Sequence, residues 1–268
     1  MVKLTSAIPL IIFLAFISIN FNCLNRSLPK NPYPFSVVII IEENNIPHSQ
    51  ASGFIYNNKK GLIATAGHVI EEGKKPGHSF KVLIDDHQYE ALALWKHQTA
   101  EIGLLQIKKL ETTFFNNSLP QTLFSTTLPA VGDSLTLIGF KPIDLESNYC
   151  LPQKVYAYQI CQQEIPLVIE LVDARSRDIS LPMAIEEMQE LIRLKKENPD
   201  LNYEDIFYTK HLVANPVNRD FGAKNGGLSG GVLIDRQGLA RAIFWGDNGK
   251  RYGFVSLREI PQKYQPQN

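Results

Sequence analysis

Apolar positions in this chain fall in short, β-branched runs separated by turn residues. Ser36-Val37-Val38-Ile39-Ile40-Ile41-Glu42 is Val/Ile-dense. Ser52 to Tyr56 and Gly61 to Ala66 flank Asn57-Asn58-Lys59-Lys60, a good hairpin turn. Phe80 to Ile84, Tyr89 to Trp95 and Ile102 to Ile107 follow. Closely spaced strands of this kind predict a closed, six-stranded antiparallel barrel. Pro120 to Asp133, rich in turn residues, reads as a connection to a second β set: Ser134–Phe140, Lys154–Cys161, Leu167–Asp173, Ile206–Ala214, Gly231–Asp235, Leu239–Trp245 and Arg251–Val255.

Two segments break the β pattern. Ser180 to Asn198 has helical spacing, with Ser180 as N-cap, Pro182 in the first turn, and Ile185, Met188 and Ile192 on one stripe. Asn198-Pro199-Asp200 ends it, so residues 180–202 read as a helical insertion into the second set. Two roles stay open: a helix packed on the barrel surface, or a lid or exosite over a cleft. At the N-terminus, Lys3 precedes the almost uncharged run Leu4 to Phe21, so residues 1–24 read as an export signal. Cleavage within Ile19-Asn20-Phe21-Asn22-Cys23, an uncleaved anchor, and lipid attachment at Cys23 are its alternative fates, the last two attaching the chain to a membrane. The predicted location is therefore periplasmic, cell-surface or extracellular.

Composition narrows the function classes. With 44% hydrophobic and 20% charged residues, the 268-residue chain has the makings of an ordinary globular core. Lys+Arg and Asp+Glu are equal at 27 each, so no net field favours nucleic acid. Of the three cysteines, Cys150 and Cys161 have a separation suited to a hairpin-spanning disulfide; two separately buried thiols are the alternative. No metal-ligand spacing, phosphate loop or cofactor fingerprint is present, so no metal and no cofactor is expected.

Three short segments carry the chemistry. Gly226-Gly227-Leu228-Ser229-Gly230-Gly231 frames a serine with glycines, which allow a tight turn and expose backbone N–H groups. Ala64-Thr65-Ala66-Gly67-His68 sets a histidine at a strand end, and an imidazole can take and return a proton near neutral pH. Between them, Ala100-Glu101-Ile102-Gly103-Leu104-Leu105 places an acid before an apolar strand. A serine hydroxyl needs such a neighbouring base to become a nucleophile.

Together these segments resemble the His, acid and Ser motifs of the trypsin/chymotrypsin-like serine proteases, in that clan's chain order. Gly53-Phe54-Ile55 and Tyr252-Gly253-Phe254-Val255-Ser256 are similar in wording to the bacterial, Deg-like branch. The resemblance spans roughly Ser36 to Leu257, and no PDZ domain is expected in the short stretch that follows. It implies an all-β fold of two six-stranded antiparallel barrels across residues 35–260, the first over 35–119 and the second over 130–260, with one inserted α-helix.

Carried residue by residue, it implies Ser229 as nucleophile, His68 as general base and Glu101 as the third member, where most of the clan has Asp. The backbone N–H groups of Gly227 and Ser229 would form the oxyanion hole. Leu228 stands where digestive relatives have the Asp that receives a new N-terminal amine, which argues against a carboxylate-dependent zymogen switch. Phe244-Trp245-Gly246 resembles the strand that pairs with extended substrate, with core packing as the alternative for Phe244. The base of the specificity pocket would lie near Ala223, six residues before Ser229, with a wall near Gly246 and Gly253. A neutral base favours a small or medium apolar side chain, and Lys224 beside it keeps an acidic residue in play. The expected activity is that of an exported serine endopeptidase acting on peptide or protein substrates. Its rival is a catalytically impaired protein of the same fold that binds peptides or partners.

Overall fold

The Val/Ile-dense run that opens the folded unit is apolar throughout because it is buried on both faces. The computed structural model describes residues 31–85, 87–98, 100–108, 123–142, 149–151, 159–174, 193, 196–197, 199, 211–217, 226–247 and 251–266. In strand β1 (Ser36–Glu43), Val37, Ile39 and Ile41 point into one hydrophobic core. Val38 and Ile40 point the other way, into a cluster with Leu83, Phe140, Tyr149, Leu151 and Ile160. A strand packed on both sides has no solvent face to mark with polar residues.

β1 belongs to a closed barrel with β2 (Ile46–Asn57), β3 (Leu62–Thr65), β6 (Gly103–Ile107), β5 (His87–Lys96) and β4 (His78–Ile84), in that order around the sheet. A second closed barrel runs β10 (Val232–Ile234), β11 (Ala240–Asp247), β12 (Tyr252–Ser256), β9 (His211–Pro216), β8 (Ile160–Ala174) and β7 (Ser134–Pro142). Every neighbouring pair is antiparallel. This is the two-barrel, all-β architecture expected from the sequence.

Each barrel has its own interior, the second filled by Leu137, Leu167, Leu212, Leu228, Phe244, Tyr252 and Phe254 among others. Two apolar seams join the barrels. One packs Phe54, Tyr56, Ile102 and Leu104 against Ile138, Val232, Ile243 and Val255. The other is the β1 cluster already described, which extends to residues 149–151. There a disulfide links Cys150 to Cys161. Leu151 N–H donates to Ile160 O at 2.9 Å and Gln162 N–H to Tyr149 O at 2.8 Å. The bridge thus holds Tyr149 and Leu151 against the first barrel.

Some expected boundaries differ. β2 starts at Ile46 rather than Ser52, because its first half is a polar, exposed extension with no apolar pattern to reveal it. Ile160 and Cys161 of the expected run Lys154–Cys161, and the expected run Leu167–Asp173, belong to one strand, β8, which continues through Pro166. Proline lacks an N–H, but the Pro166 carbonyl still accepts from Val217 N–H at 3.0 Å, so the ladder survives. A short helix absent from the sequence reading, α1 (Gly67–Gly73), follows β3 directly and buries Val69 and Ile70 in the first core.

Of the expected helical insertion, Arg193, Lys196 and Glu197 are described and helical, and Arg193 pairs with Glu197 one turn on at 2.7 Å. Its other expected positions, except Pro199, lie outside the described residues, as does the apolar run of residues 1–24. Among the described residues, no helix is long and apolar enough to cross a membrane.

Candidate active site

β3 delivers the chain to the site, and α1 turns His68 away from the barrel. The helix starts without a side-chain cap of its own, since Ala66 occupies the cap position. Glu101, reaching over from the turn before β6, supplies one. Its Oε2 accepts the His68 backbone N–H at 2.8 Å and lies 3.0 Å from His68 Nδ1. One carboxylate oxygen therefore satisfies a helix-terminal donor and orients the imidazole. With Nδ1–H directed at the carboxylate, the Nε2 lone pair faces outward.

Gly67 leaves the space that the Glu101 carboxylate occupies. A Cβ built there would lie 3.1 Å from both Glu101 Cα and Glu101 Oε2, so even alanine would crowd the carboxylate. Burial pushes the Glu101 carboxyl up, but the hydrogen bonds and charge of His68, with Lys96 behind them, outweigh it. The net effect holds the group below the ordinary carboxylate range, ionised at neutral pH.

The turn that presents Glu101 has its own brace, one that no local sequence pattern announces. His97 Nδ1 accepts the Ala100 N–H at 2.9 Å, and His97 N–H donates to Ile102 O at 2.9 Å. Acceptance at Nδ1 requires a neutral ring with its proton on Nε2. Burial, reinforced by Lys96 and opposed by Glu259, lowers the pKa of this histidine. Ala100 and Ile102 are buried on either side, leaving Glu101 the polar member of the turn.

Ser229 comes from the second barrel and is held by its backbone. Its carbonyl accepts from Ser52 N–H of β2 at 2.8 Å. The loop needs glycine at two places. Gly227 has φ +94° and Gly230 φ +88°. A Cβ at Gly230 would lie 2.0 Å from Ser52 O and 2.2 Å from Thr65 Oγ1. Such an approach between the barrels is open to glycine alone. Gly230 N–H donates to Phe244 O at 2.8 Å and Gly231 N–H to Leu228 O at 2.7 Å. The Leu228 side chain is fully buried in the interior of the second barrel.

Among the described residues, the N–H groups of Gly227 and Ser229 have no acceptor, and Ser229 Oγ and His68 Nε2 have no hydrogen-bond partner. The structure thus couples His68 to Glu101 directly and docks Ser229 on the strands leading to His68, without a bond between the hydroxyl and the ring. Phe244 is core, 1% exposed, so the alternative reading holds for it. Trp245 sits at a register shift in β11, and Gly246 pairs with Gly253 of β12. Gly253 is crossed by the indole, since a Cβ there would meet Trp245 Nε1 at 2.8 Å. Ala223 and Lys224 lie outside the described residues. Among the described residues, no group of three or more His, Cys, Asp or Glu could hold a metal ion.

No family model and no curated protein sequence matches the chain. Solved structures do. The active form of the Rv3671c protease from M. tuberculosis superposes with a TM-score of 0.55 at 16% identity, over 87% of this chain and 85% of that one. Deg5 gives a TM-score of 0.54 at 16% identity, over 90% of both chains. The fold is trypsin-like. At such identities the likeness is one of fold, and the residues must carry the rest.

Proposed function

We propose that this protein is a serine endopeptidase of the trypsin-like fold. The observation that carries the reading is the double grip of Glu101 Oε2 on His68, which supports a ring protonated on Nδ1 with the Nε2 lone pair left to act as base. In the proposed reaction, Ser229 Oγ attacks the substrate carbonyl carbon and gives its proton to His68 Nε2. The carbonyl oxygen takes up negative charge against the N–H groups of Gly227 and Ser229, a contribution worth ~3–4 kcal/mol per donor in comparable sites. The C–N bond then breaks, and His68 returns the proton to the leaving amine. Water hydrolyses the acyl-enzyme through the same groups. Glu101 holds the tautomer and stabilises the imidazolium.

Extended substrate would pair along the Trp245–Gly246 segment of β11, with its specificity side chain directed toward Ala223. Export follows in this proposal from the N-terminal apolar run, with membrane attachment open through that run or Cys23. Cleavage of labelled casein by the exported chain, lost in Ser229→Ala at an unchanged thermal midpoint, tests the reading. Retained cleavage would refute it.

One observation favours the rival, a binding module with an impaired site: the missing hydrogen bond between Ser229 Oγ and His68 Nε2. Catalytic hydrogen bonds are often long before substrate arrives, so the endopeptidase reading is preferred.

A further inference from the structure

We infer that Ser52, on the first barrel, is a positioning residue for the oxyanion-binding loop of the second barrel; this rests on the serine-protease reading above. Ser52 is fully buried. Its hydroxyl donates to Gly227 O at 2.7 Å and accepts the Phe140 N–H of β7 at 2.8 Å. The competing acceptor, Phe140 O, is farther at 3.2 Å. Because the Phe140 N–H occupies an oxygen lone pair, the hydroxyl proton is steered toward Gly227.

The backbone of the same residue holds the nucleophile. Ser52 N–H donates to Ser229 O at 2.8 Å, and Ser52 O accepts from Thr65 Oγ1 at 2.8 Å. Three glycines of the second barrel close around it. Besides Gly230, a Cβ at Gly139 would lie 3.1 Å from Ser52 Oγ, and Gly227 itself carries φ +94°.

The need for such a grip follows from glycine. Gly226-Gly227 has no Cβ to bias its peptide planes, so the N–H of Gly227 can point to either side at little cost. The carbonyls of the following residues are all engaged: Gly227 O by Ser52 Oγ, Leu228 O by Gly231 N–H, and Ser229 O by Ser52 N–H. Leu228 O shares its peptide with the Ser229 N–H, and Gly227 O lies one Cα from the Gly227 N–H, so holding these carbonyls positions both donors for an incoming oxyanion. Leu228 O and Ser229 O would keep their partners without the hydroxyl. The Gly227 carbonyl would not; its peptide adjoins the one that carries the Gly227 N–H and shares the Gly227 Cα, so Gly227 would rotate about that Cα and displace the donor. Losing a donor outright costs 10²–10³ in kcat, so a donor present part of the time should cost about 10- to 100-fold.

The test compares wild type with Ser52→Ala. Labelling with a fluorophosphonate run to completion counts reactive serines, and labelled-casein turnover per reactive site gives kcat and KM. The expected result is a kcat per site reduced about 10- to 100-fold at nearly unchanged KM, with Ser52→Cys, a weaker donor, falling between. A merely structural serine would lower the fraction of reactive sites but leave kcat per site intact, and that result overturns the inference. If Ser52→Ala does not fold, Ser52→Cys decides: full kcat per site contradicts the role. A wild type that neither labels nor cleaves removes the underlying reading and the inference with it. An active wild type beside an undiminished Ser52→Ala overturns the inference alone.

Discussion

Glu101 Oε2 accepts from two atoms of one residue, the backbone N–H of His68 at 2.8 Å and its ring Nδ1 at 3.0 Å. The first contact fixes where the helix begins, and the second fixes which way the imidazole faces. Coupling both to one oxygen means that the carboxylate cannot shift without moving the helix start.

Glu101→Gln should therefore do more than remove a charge. An amide can turn its NH₂ toward the ring and favour the wrong tautomer, so kcat should fall by about 10⁴. Glu101→Asp keeps the charge but is one methylene too short to reach both donors from the same backbone. It should lose ~10- to 100-fold, consistent with a displacement of about 1 Å. Steady-state kinetics of the two variants checks this; equal activity in Glu101→Gln and wild type would make the acid a bystander.

The carboxyl's lowered pKa has a consequence for stability. Its folded value lies below its ordinary 4.5, so the ionised form stabilises the fold. That contribution is complete above pH 4.5 and is lost as pH falls through the folded value. Denaturant unfolding of wild type and Glu101→Gln should show a gap near pH 6 that narrows below pH 4. A gap independent of pH would contradict the assignment.

His97 titrates in the same sense for a different reason. Its ring must stay neutral to accept the Ala100 N–H, and its pKa is lowered from 6.5. The unfolded chain takes up the proton first, so stability is lost as pH drops from about 6.5 through the folded value. His97→Gln should lessen the decline in activity and midpoint between pH 7 and 5 while costing ~1–2 kcal/mol at pH 7 for the altered brace. Parallel pH profiles for variant and wild type would contradict this role.

Gly230→Ala probes the contact between the barrels. Its Cβ would lie 2.0 Å from Ser52 O at a φ of +88°. Overpacking and left-handed strain each cost ~1–3 kcal/mol, so unfolding in urea should show a loss of roughly 2–6 kcal/mol with turnover abolished. A mild variant would mean that the loop does not seat on Ser52.

What could be read from the sequence followed from local constraint. The serine lies between glycines, the histidine ends an apolar strand, and the acid precedes another. Each motif is complete within a few residues. Ser52 was not legible as more than a strand position, because its partner Gly227 lies 175 residues away and no local pattern marks the pair. His97 is equally hidden: its role depends on a turn that only the fold creates. Pro166 concealed the continuity of β8, since a proline ordinarily argues against a strand interior.

The central claim is an activated Ser229, and covalent labelling tests it most directly. A fluorophosphonate reacts with a serine whose proton a base removes, so intact-mass spectrometry of the treated protein should show one adduct per chain. The adduct should map to Ser229, be absent in Ser229→Ala, and form at least ~100-fold more slowly in His68→Ala. A wild-type chain that remains unmodified under conditions that fully label a known serine hydrolase would contradict the account.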